Sequence, residues 1–556
     1  MSGGGVRLVA AADASSAQTR MWLLDRMLPA GRSYHVNRAI ELRGDLDVAI
    51  LSRAILRCVR RHEVLRTRFE LSGGRLRQII TGRVPELRLV DLRGLPDPGA
   101  LADGLIGDAA GDPFDLGRAP LLRTHLLRLS DDHHILILVF HHILIDAWSL
   151  DQVVREIADD YRDHVAGRPH DRPPSRLQYA DYAAWERRAL DGGRMDAHLD
   201  YWLRRIEDLP ALDLRPDRPP PPAATRRGGL HPFTLEPGLV RALDELARQE
   251  GASLYMALLA GFTVLMSRRT GQDDIVVGGT SPGRHRPELQ DMVGFFVNML
   301  VLRTRLDGAA TLREVLRRTA ATCQDAYDHQ DAPFERLVEL HGGARERHRH
   351  PFFQIVFQMI NVATGLALPG IEAAFRPPEP APAMFDLVFT VEPGGGYVEY
   401  ATDLYTEETV AELAAAWIAV LRQLAADPDR PMDARPAPEP AAPAAEPAAP
   451  APAEVAAPAG AGPPSGPVEE ELAGMWAEVL GRSRIGRDDN FFELGGHSLL
   501  ATVLITLVRE RFGVDLPLER FFAWPTVAGT ARAVTEGGAA AVTAEDALTE
   551  LLEDLP

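Results

Sequence analysis

The chain has 556 residues, of which 46% are hydrophobic and 25% charged, so it can build several domains with sizeable cores. Its net charge of −19, from 79 acidic and 60 basic residues, argues against nucleic-acid binding. Apart from His, every basic residue is Arg, which excludes chemistry that depends on Lys, such as a P-loop or a Schiff base.

Cysteine content and apolar runs point to a cytoplasmic protein without a membrane segment. Cys58 and Cys323 are the two cysteines, too few for a disulfide framework or a zinc cluster. Residues 1–14 lack the apolar core of a signal peptide, and no apolar run reaches the length of about 18 residues that a membrane helix needs.

Residues 1–433 alternate strand-like and helix-like segments, which predicts an α/β architecture. A Pro-rich break at 216–222 divides this region into lobes of about 1–210 and 223–433. The clearest predicted strands are 134–140 and 275–277, and the clearest helices are 239–249, 253–267 and 410–424.

A linker and a small helical module follow. Residues 434–467 are almost wholly Ala, Pro, Glu and Gly, with nothing to bury, and predict a tether. Helical spacing of apolar residues begins at Val468, a second helix is predicted from Ser498, and a third after Thr526, so 468–537 is predicted to be a small helical bundle.

The C-terminal residues 543–556 predict a short acidic helix with a stripe of leucines. An isolated helix of this length is marginal in water, so we expect the stripe to dock on a partner. The alternatives are packing on its own module and a frayed acidic end.

The segment after the first buried strand holds His141, His142 and, four residues on, Asp146. Imidazoles titrate near neutrality and a carboxylate can orient or balance them, so the segment suits acid–base chemistry. The alternatives are a structural His–Asp pair at a strand end and, less favoured because no third ligand is suggested, a metal site.

Ser498 opens a predicted helix directly after Gly495, Gly496 and His497. Free backbone N–H groups at a helix N-terminus favour a phosphate ester there. An ordinary Ser N-cap is the alternative, and position alone does not decide between them.

The last 75 residues or so resemble a peptidyl carrier protein. The resemblance rests on Asp489-Asn490-Phe491-Phe492 and on Leu494-Gly495-Gly496-His497-Ser498-Leu499. It implies that Ser498 carries a covalent 4′-phosphopantetheine, attached by a phosphopantetheinyl transferase, on a four-helix carrier bundle.

The first 430 residues or so resemble the condensation domain of nonribosomal peptide synthetases, through seven motifs in order. They are Ser15–Leu24, Arg61–Phe69, His141–Asp146, Tyr179–Trp185, Val293–Asn298, His329–Glu335 and Pro351–Phe357. The resemblance implies two chloramphenicol-acetyltransferase-like lobes in a V, with the histidine motif in a tunnel at their junction.

The resemblance also implies roles for residues. His142 is the expected catalytic residue beside His141, as proton acceptor or positioning group. Asp146 is expected to be structural, in an ion pair with Arg66 or, alternatively, Arg61. Ala147 stands where the family has Gly, and if that position needs a positive φ, Ala costs on the order of 1 kcal/mol.

The implied activity is amide formation between a donor thioester on an upstream carrier protein and an aminoacyl thioester on Ser498. Because the linker occupies the place of an adenylation domain, the amino acid is expected to be loaded in trans by a separate enzyme. The acidic tail would then dock the next synthetase subunit.

Several related activities remain as alternatives. Heterocyclisation domains carry Asp in place of the first His, and epimerisation domains follow their carrier, so both are disfavoured. A non-catalytic recruitment domain typically has a broken histidine motif. An acyltransferase that releases a carrier-bound chain onto a soluble amine or alcohol is the other alternative, and a donor of D-configuration is a weaker expectation.

Overall fold

The structure is a computed structural model that describes most of the first 432 residues and parts of the rest. The described residues are 8–27, 34–72, 75–168, 173, 175–221, 225–309, 311–341, 350–360, 366–376, 382–432, 462–480, 482, 484–491, 494, 501, 504, 505, 507, 508, 511–514, 516, 520, 521 and 524–536. They divide into two compact units, the first drawn from Met1–Glu70, Arg77–Leu337 and Glu346–Glu439, the second from Leu71–Leu76, Val338–Arg345 and Pro440–Pro556.

The described strands are β1 (Leu8–Asp13), β2 (His35–Gly44), β3 (Thr67–Ser72), β4 (Arg75–Thr81), β5 (Leu87–Asp91), β6 (Leu122–Arg128), β7 (His133–His141), β8 (Gly228–Thr234), β9 (Asp274–Ser281), β10 (Asn298–Arg305), β11 (Ile355–Met359), β12 (Ile371–Phe375), β13 (Leu387–Glu392) and β14 (Gly395–Ala401).

The described helices are α1 (Ser16–Met27), α2 (Val48–Arg61), α3 (Pro98–Gly111), α4 (Ala147–Val165), α5 (Tyr179–Asp191), α6 (Asp196–Arg205), α7 (Pro237–Gln249), α8 (Leu254–Thr270), α9 (Pro287–Gln290), α10 (Leu312–Asp328), α11 (Phe334–His341), α12 (Glu407–Ala426) and α13 (Pro467–Leu480). The strands and helices predicted within residues 1–433 each lie within, or within one residue of, one of these elements, and the predicted α/β architecture is confirmed. The helices predicted from Ser498 and over 543–556 lie outside the described residues.

Two large sheets organise the first unit. One has the order β12-β2-β7-β6-β5 and the other β10-β9-β11-β13-β14-β8, while β1, β4 and β3 form a small third sheet. Strand β12 comes from the second half of the sequence and pairs antiparallel with β2 of the first half. The two halves are therefore joined through a shared sheet.

Strand β7 is the central strand that positions the histidine pair. Both neighbours, β2 and β6, pair with it in antiparallel register, and every residue after His133 is buried. One face packs on α3 through Ile135, Ile137 and Val139. An apolar run buried on both faces is typical of a strand inside a covered sheet, so the strand's C-terminal end is held rigidly.

Helix α12 is long and apolar enough to span a membrane by composition. Its apolar side chains, however, are buried inside the first unit, and the Trp417 indole N–H donates to the Leu258 carbonyl of α8 at 3.2 Å. Its apolar character is therefore that of a core helix.

In the second unit, α13 packs on the loop that precedes the serine motif. The Trp476 ring lies 4.9 Å from Phe491 and 5.9 Å from Phe521, and all three side chains are buried. The Phe491 N–H donates to the Pro525 carbonyl at 2.7 Å. Residues 527–536 are helical, as predicted after Thr526.

Candidate active site

His142 lies directly after β7, where the chain leaves the sheet in a short 3-10 turn, His142–Leu144. Its backbone N–H donates to the Tyr34 carbonyl at 2.7 Å, which extends the pairing of β7 with the chain before β2. Its ring lies 4.9 Å from the ring of Phe295, edge to face.

The Nδ1 atom of His142 lies 2.6 Å from the Ile145 carbonyl oxygen, so Nδ1 carries the proton that this bond requires. Burial lowers the pKa of the ring below its usual 6.5. The imidazole is therefore neutral at pH 7, with its lone pair on Nε2. A neutral imidazole whose Nε2 can accept a proton is what a general base needs.

His141 is fully buried and uses both of its ring nitrogens inside the protein. The Ile143 N–H donates to Nδ1 at 3.1 Å, and Nε2 donates to Asp25 Oδ1 of α1 at 3.2 Å. With neither nitrogen left for a substrate, the geometry favours a supporting role for His141, which fixes the turn that presents His142, over the catalytic role predicted for it.

Asp146 caps α4, and its carboxylate is almost completely buried. Oδ1 accepts from the Ser149 N–H at 2.7 Å, and Oδ2 accepts from the Phe296 N–H at 3.0 Å. The backbone N–H of Asp146 donates to the Gly294 carbonyl at 3.2 Å. Asp146 therefore ties the histidine turn to the loop at 294–296.

Arg284 is the ion-pair partner of Asp146, which corrects the prediction of Arg66 or Arg61. Its Nη2 lies 3.3 Å from Oδ1 and 3.4 Å from Oδ2, and its side chain is 1% exposed. Nη1 donates to the carbonyls of Leu289 and Met292 at 2.5 and 2.6 Å, and the guanidinium lies over the Phe296 ring at 4.2 Å.

The two predicted arginines are engaged elsewhere. Arg66 donates to the carbonyls of Thr81 at 2.8 Å and Arg60 at 3.2 Å, and Arg61 pairs with Glu156 at 3.6 Å. Arg66 ends the short 3-10 helix before β3, so its guanidinium satisfies nearby backbone carbonyls. Arg284 is 138 residues from Asp146 along the chain, and no local pattern around it signals the pair.

Ala147 introduces no backbone strain. It is the first residue of α4, and the described non-glycine residues with positive φ are Asp97, Asp208 and Arg226. The positive φ that would make Ala costly at this position is therefore not present. Ala147 has an ordinary helical backbone conformation.

The loop at 294–296 is fixed by residues from two other motifs. The Tyr179 hydroxyl donates to the Phe295 carbonyl at 2.6 Å and lies 2.9 Å from Ser15 Oγ. A Cβ on Gly294 would lie 1.9 Å from Tyr179 Cδ2, so this position requires glycine. Phe295 is thereby held against the His142 ring.

Asn298 joins its own motif to one further motif, His329–Glu335, in the same way. Its side-chain amide donates to the carbonyls of Gln330 at 2.9 Å and Ala332 at 2.8 Å, and its oxygen accepts from the Phe334 N–H at 3.1 Å. Residues from several motifs that are far apart in sequence thus meet around His142 and form one scaffold.

Ser498 lies outside the described residues. The loop before it is described in part: the Gly486 N–H donates to Asp489 Oδ2 at 2.6 Å, Asn490 bridges to Thr526, and Leu494 is buried. These contacts fix the start of the loop that leads to the serine.

Comparison with known families matches two consecutive segments. Residues 10–440 match the model described as Condensation domain, and residues 470–534 match the model described as Phosphopantetheine attachment site. The second match identifies covalently attached 4′-phosphopantetheine as the cofactor of this part of the chain.

The curated relatives are synthetases of peptides. Chondramide synthase of Chondromyces crocatus is 38% identical over 422 residues, covering 74% of this chain and 11% of the synthase. A linear gramicidin synthase of Brevibacillus parabrevis is 38% identical over 427 residues, covering 75% of this chain and 8% of that synthase. Phosphinothricin tripeptide synthetase of Streptomyces viridochromogenes is 37% identical over 432 residues, covering 76% and 40%. The chain thus spans less than half the length of each.

Among solved structures, the X-domain from teicoplanin biosynthesis is 30% identical, with a TM-score of 0.67, covering 76% of this chain and 96% of that one. The SgcC5 protein of Streptomyces globisporus is 27% identical, with a TM-score of 0.63, covering 75% and 100%. The predicted fold class, a chloramphenicol-acetyltransferase-like condensation domain with a carrier, is confirmed by the fold, the two matched segments and these relatives. This chain therefore belongs to the condensation domains of nonribosomal peptide synthetases, amide-forming acyltransferases, and carries a phosphopantetheine-bearing carrier domain behind that domain.

Proposed function

We propose that the chain forms an amide bond between a donor acyl or peptidyl thioester on an upstream carrier protein and an aminoacyl thioester on Ser498. The 4′-phosphopantetheine arm supplies a thioester that activates the acyl group and a tether that raises its effective concentration. The observation that carries the proposal is the neutral His142 ring, with Nδ1 bound to Ile145 and Nε2 left to accept a proton.

In the proposed reaction, the acceptor amine attacks the donor carbonyl carbon and the carbon–sulfur bond to the upstream carrier breaks. Nε2 of His142 accepts a hydrogen bond or the proton from the attacking amine. His141 and the Asp146–Arg284 pair act as positioning groups, since they hold the turn and the facing loop in place.

We propose that the amino acid is loaded in trans. The two matched segments are separated by residues 441–469, which are too few to form another domain. The absence of Lys from the chain also argues against an adenylation site of the usual kind within it. The partners are thus an upstream carrier, a separate adenylation enzyme and a phosphopantetheinyl transferase, acting together in the cytoplasm.

The inference of a downstream partner depends on the acidic tail at 543–556, which lies outside the described residues. We propose, from its leucine stripe alone, that it docks the next synthetase subunit. The domain limits 1–433, 434–467 and 468–537 are likewise proposed, and limited proteolysis tests them.

Two alternatives have support from particular relatives. SgcC5 was solved with a small diol, which favours a soluble alcohol as acceptor in this chain too. The teicoplanin X-domain was solved in complex with OxyB, which favours recruitment of another protein. The half-buried His142, with Nδ1 bound to the Ile145 carbonyl and Nε2 left to accept a proton, supports catalysis over recruitment.

The test is reconstitution with a labelled acyl group on a donor carrier and an aminoacyl group on this chain. We expect an amide product on this chain, detected by mass spectrometry, and a rate lowered by about 10²–10⁴-fold in His142→Ala, because the proton acceptor is lost. Transfer of the label to a soluble alcohol would favour the alternative in which a soluble alcohol is the acceptor. An unchanged rate in His142→Ala would contradict the proposal.

A further inference from the structure

A thiol, an imidazole and a carboxylate meet where α2 packs on α4. Cys58 lies in the last turn of α2, His62 caps that helix, and Glu156 belongs to α4. Their ligand atoms, one from each side chain, all lie within 4.8 Å of one another. Side chains of these three types bind transition metals, and the proposed amide-forming steps use none of the three.

Helix α2 places two of the three side chains on one face. Cys58 and His62 are four residues apart, and the His62 N–H donates to the Cys58 carbonyl at 3.3 Å. Side chains at this spacing lie one above the other on a helix, as paired metal ligands on helices do. Both residues are buried, at 5% and 2% exposure, so both side chains face the interior.

Glu156 supplies the carboxylate from a position 94 residues after His62. Its Oε2 lies 2.9 Å from His62 Nε2 and 4.0 Å from Cys58 Sγ. Burial raises the pKa of Glu156, but the hydrogen bond with His62 and the nearby Arg61 outweigh burial, and the pKa falls below its usual 4.5. The carboxylate is therefore ionised at neutral pH, which is the form that binds a cation.

The three separations suit an ion of the size of Zn²⁺. For sides of 2.9 Å, 4.0 Å and at most 4.8 Å, an ion at the centre of the triangle would lie at most about 2.4 Å from each atom. In proteins, zinc lies about 2.3 Å from sulfur and about 2.0–2.2 Å from nitrogen or oxygen. Shifts of a few tenths of an ångström would therefore complete the contacts.

Two further side chains lie beside the carboxylate. Gln152 Nε2 donates to Glu156 Oε1 at 3.4 Å, which fixes the orientation of the carboxylate. Gln152 Oε1 is buried and accepts no hydrogen bond within the described part of the chain, so it is available to a water molecule on an ion. Arg61 Nη1 lies 3.6 Å from Glu156 Oε2 and opposes a cation, but its side chain is 23% exposed and long enough to turn to solvent.

We propose that Cys58, His62 and Glu156 bind a zinc ion, with water in the fourth position. The thiolate and the carboxylate together balance the two charges of the ion. On binding, the Cys58 thiol releases its proton to solvent, and bonds to the ion replace the hydrogen bond between His62 and Glu156. Glu156 lies ten residues after Asp146, about 15 Å along α4, so the ion would clamp α2 to α4 at a distance from the reacting groups.

The test measures metal binding to the full chain after treatment with a chelator. Co²⁺ serves as the spectroscopic substitute for zinc. We expect one equivalent of Co²⁺ to give thiolate-to-metal charge-transfer absorption, which sites made of histidines and carboxylates alone do not give. Zn²⁺ should displace Co²⁺ and abolish the absorption. Zn²⁺ should also raise the midpoint of thermal unfolding, because it binds the folded chain.

Cys58→Ser should abolish the charge-transfer absorption. Glu156→Gln should weaken Zn²⁺ binding, measured by calorimetry, by at least about 100-fold, more than the loss of a group that only orients a ligand. Arg61→Gln should bind several-fold more tightly, because it removes a charge that repels the ion. Cys323→Ala is the matched control: it removes the other cysteine, which belongs to no such group among the described residues, and should keep the absorption and the affinity.

An absence of charge-transfer absorption in the parent chain would overturn the inference. So would absorption that survives in Cys58→Ser, because the sulfur ligand would then lie elsewhere. If Cys58→Ser does not fold, as judged by circular dichroism without metal, Glu156→Gln decides, since it keeps the shape of the side chain. Equal Zn²⁺ affinity of Glu156→Gln and the parent chain would show adventitious binding and would make the inference wrong.

Discussion

Two contacts define the chemistry available to His142. The bond from Nδ1 to the Ile145 carbonyl fixes the tautomer, and the Phe295 ring packs against the imidazole at 4.9 Å. His141, one residue earlier, has the same side chain but both nitrogens occupied. The turn therefore leaves Nε2 of His142 available to a substrate, whereas both ring nitrogens of His141 are engaged within the protein.

The lowered pKa of His142 predicts a pH dependence. A proton acceptor must be neutral, and its folded-state pKa lies below the usual 6.5, so activity present at neutral pH should persist through pH 6.5 and fall only at lower pH. The measurement is the ratio of the wild-type single-turnover rate to the residual His142→Ala rate, which cancels titration of the acceptor amine. A ratio that does not change with pH would indicate that His142 only positions the amine.

The Asp146–Arg284 pair predicts a loss of stability. Asp146→Ala or Arg284→Ala leaves one buried charge without its partner and should lower the free energy of unfolding by about 3–5 kcal/mol, measured in urea. Exposed Arg241→Ala is the control and should change it little. A dead Asp146→Ala variant of wild-type stability would instead make Asp146 catalytic.

At the scale of elements, the loop between β9 and β10 and the N-terminus of α4 act as one piece. Ser149 Oγ donates to the Gly294 carbonyl at 2.8 Å and accepts from the Gly294 N–H at 3.0 Å, and Arg284 also donates to it. These bonds place Phe295 beside His142 although the two elements lie about 150 residues apart.

Gly294→Ala should therefore destabilise the domain. The new Cβ would overlap Tyr179, and such overpacking typically costs about 1–3 kcal/mol. Displacement of Tyr179 would also release the Phe295 carbonyl and lower the rate of amide formation. Gly238→Ala in α7, where a Cβ meets no atom within 4 Å, is the matched control and should be neutral. Equal denaturation midpoints for the two variants would contradict the expectation.

At the scale of the molecule, the composition of residues 434–467 predicts a tether between the condensation and carrier segments. A tether of about 34 residues is expected to span roughly 30–35 Å as a flexible coil and to extend toward ~100 Å as a polyproline-like chain. We therefore expect the carrier to exchange partners during a reaction cycle.

Ser498→Ala tests the carrier assignment. The serine precedes a predicted helix, whose start tolerates alanine at a cost of about 1 kcal/mol, so the second unit should stay folded. Intact-protein mass spectrometry after treatment with a phosphopantetheinyl transferase and coenzyme A should show no added arm, whereas the parent chain gains one. An arm of unchanged yield on the variant would place the attachment elsewhere.

The sequence by itself determined the secondary-structure elements and the two families, because these depend on local pattern and on the order of the motifs. The apolar run of β7 predicts a buried strand because both faces of a covered sheet exclude water, and the motifs around His142 and Ser498 predict the two functions. Only the tertiary structure decided which side chains contact one another around the histidine turn. Arg284 replaces Arg66 beside Asp146, and His141 is turned inward to Asp25. These contacts join residues far apart in the chain, and their geometry follows from sheet register and helix packing, which periodicity does not encode.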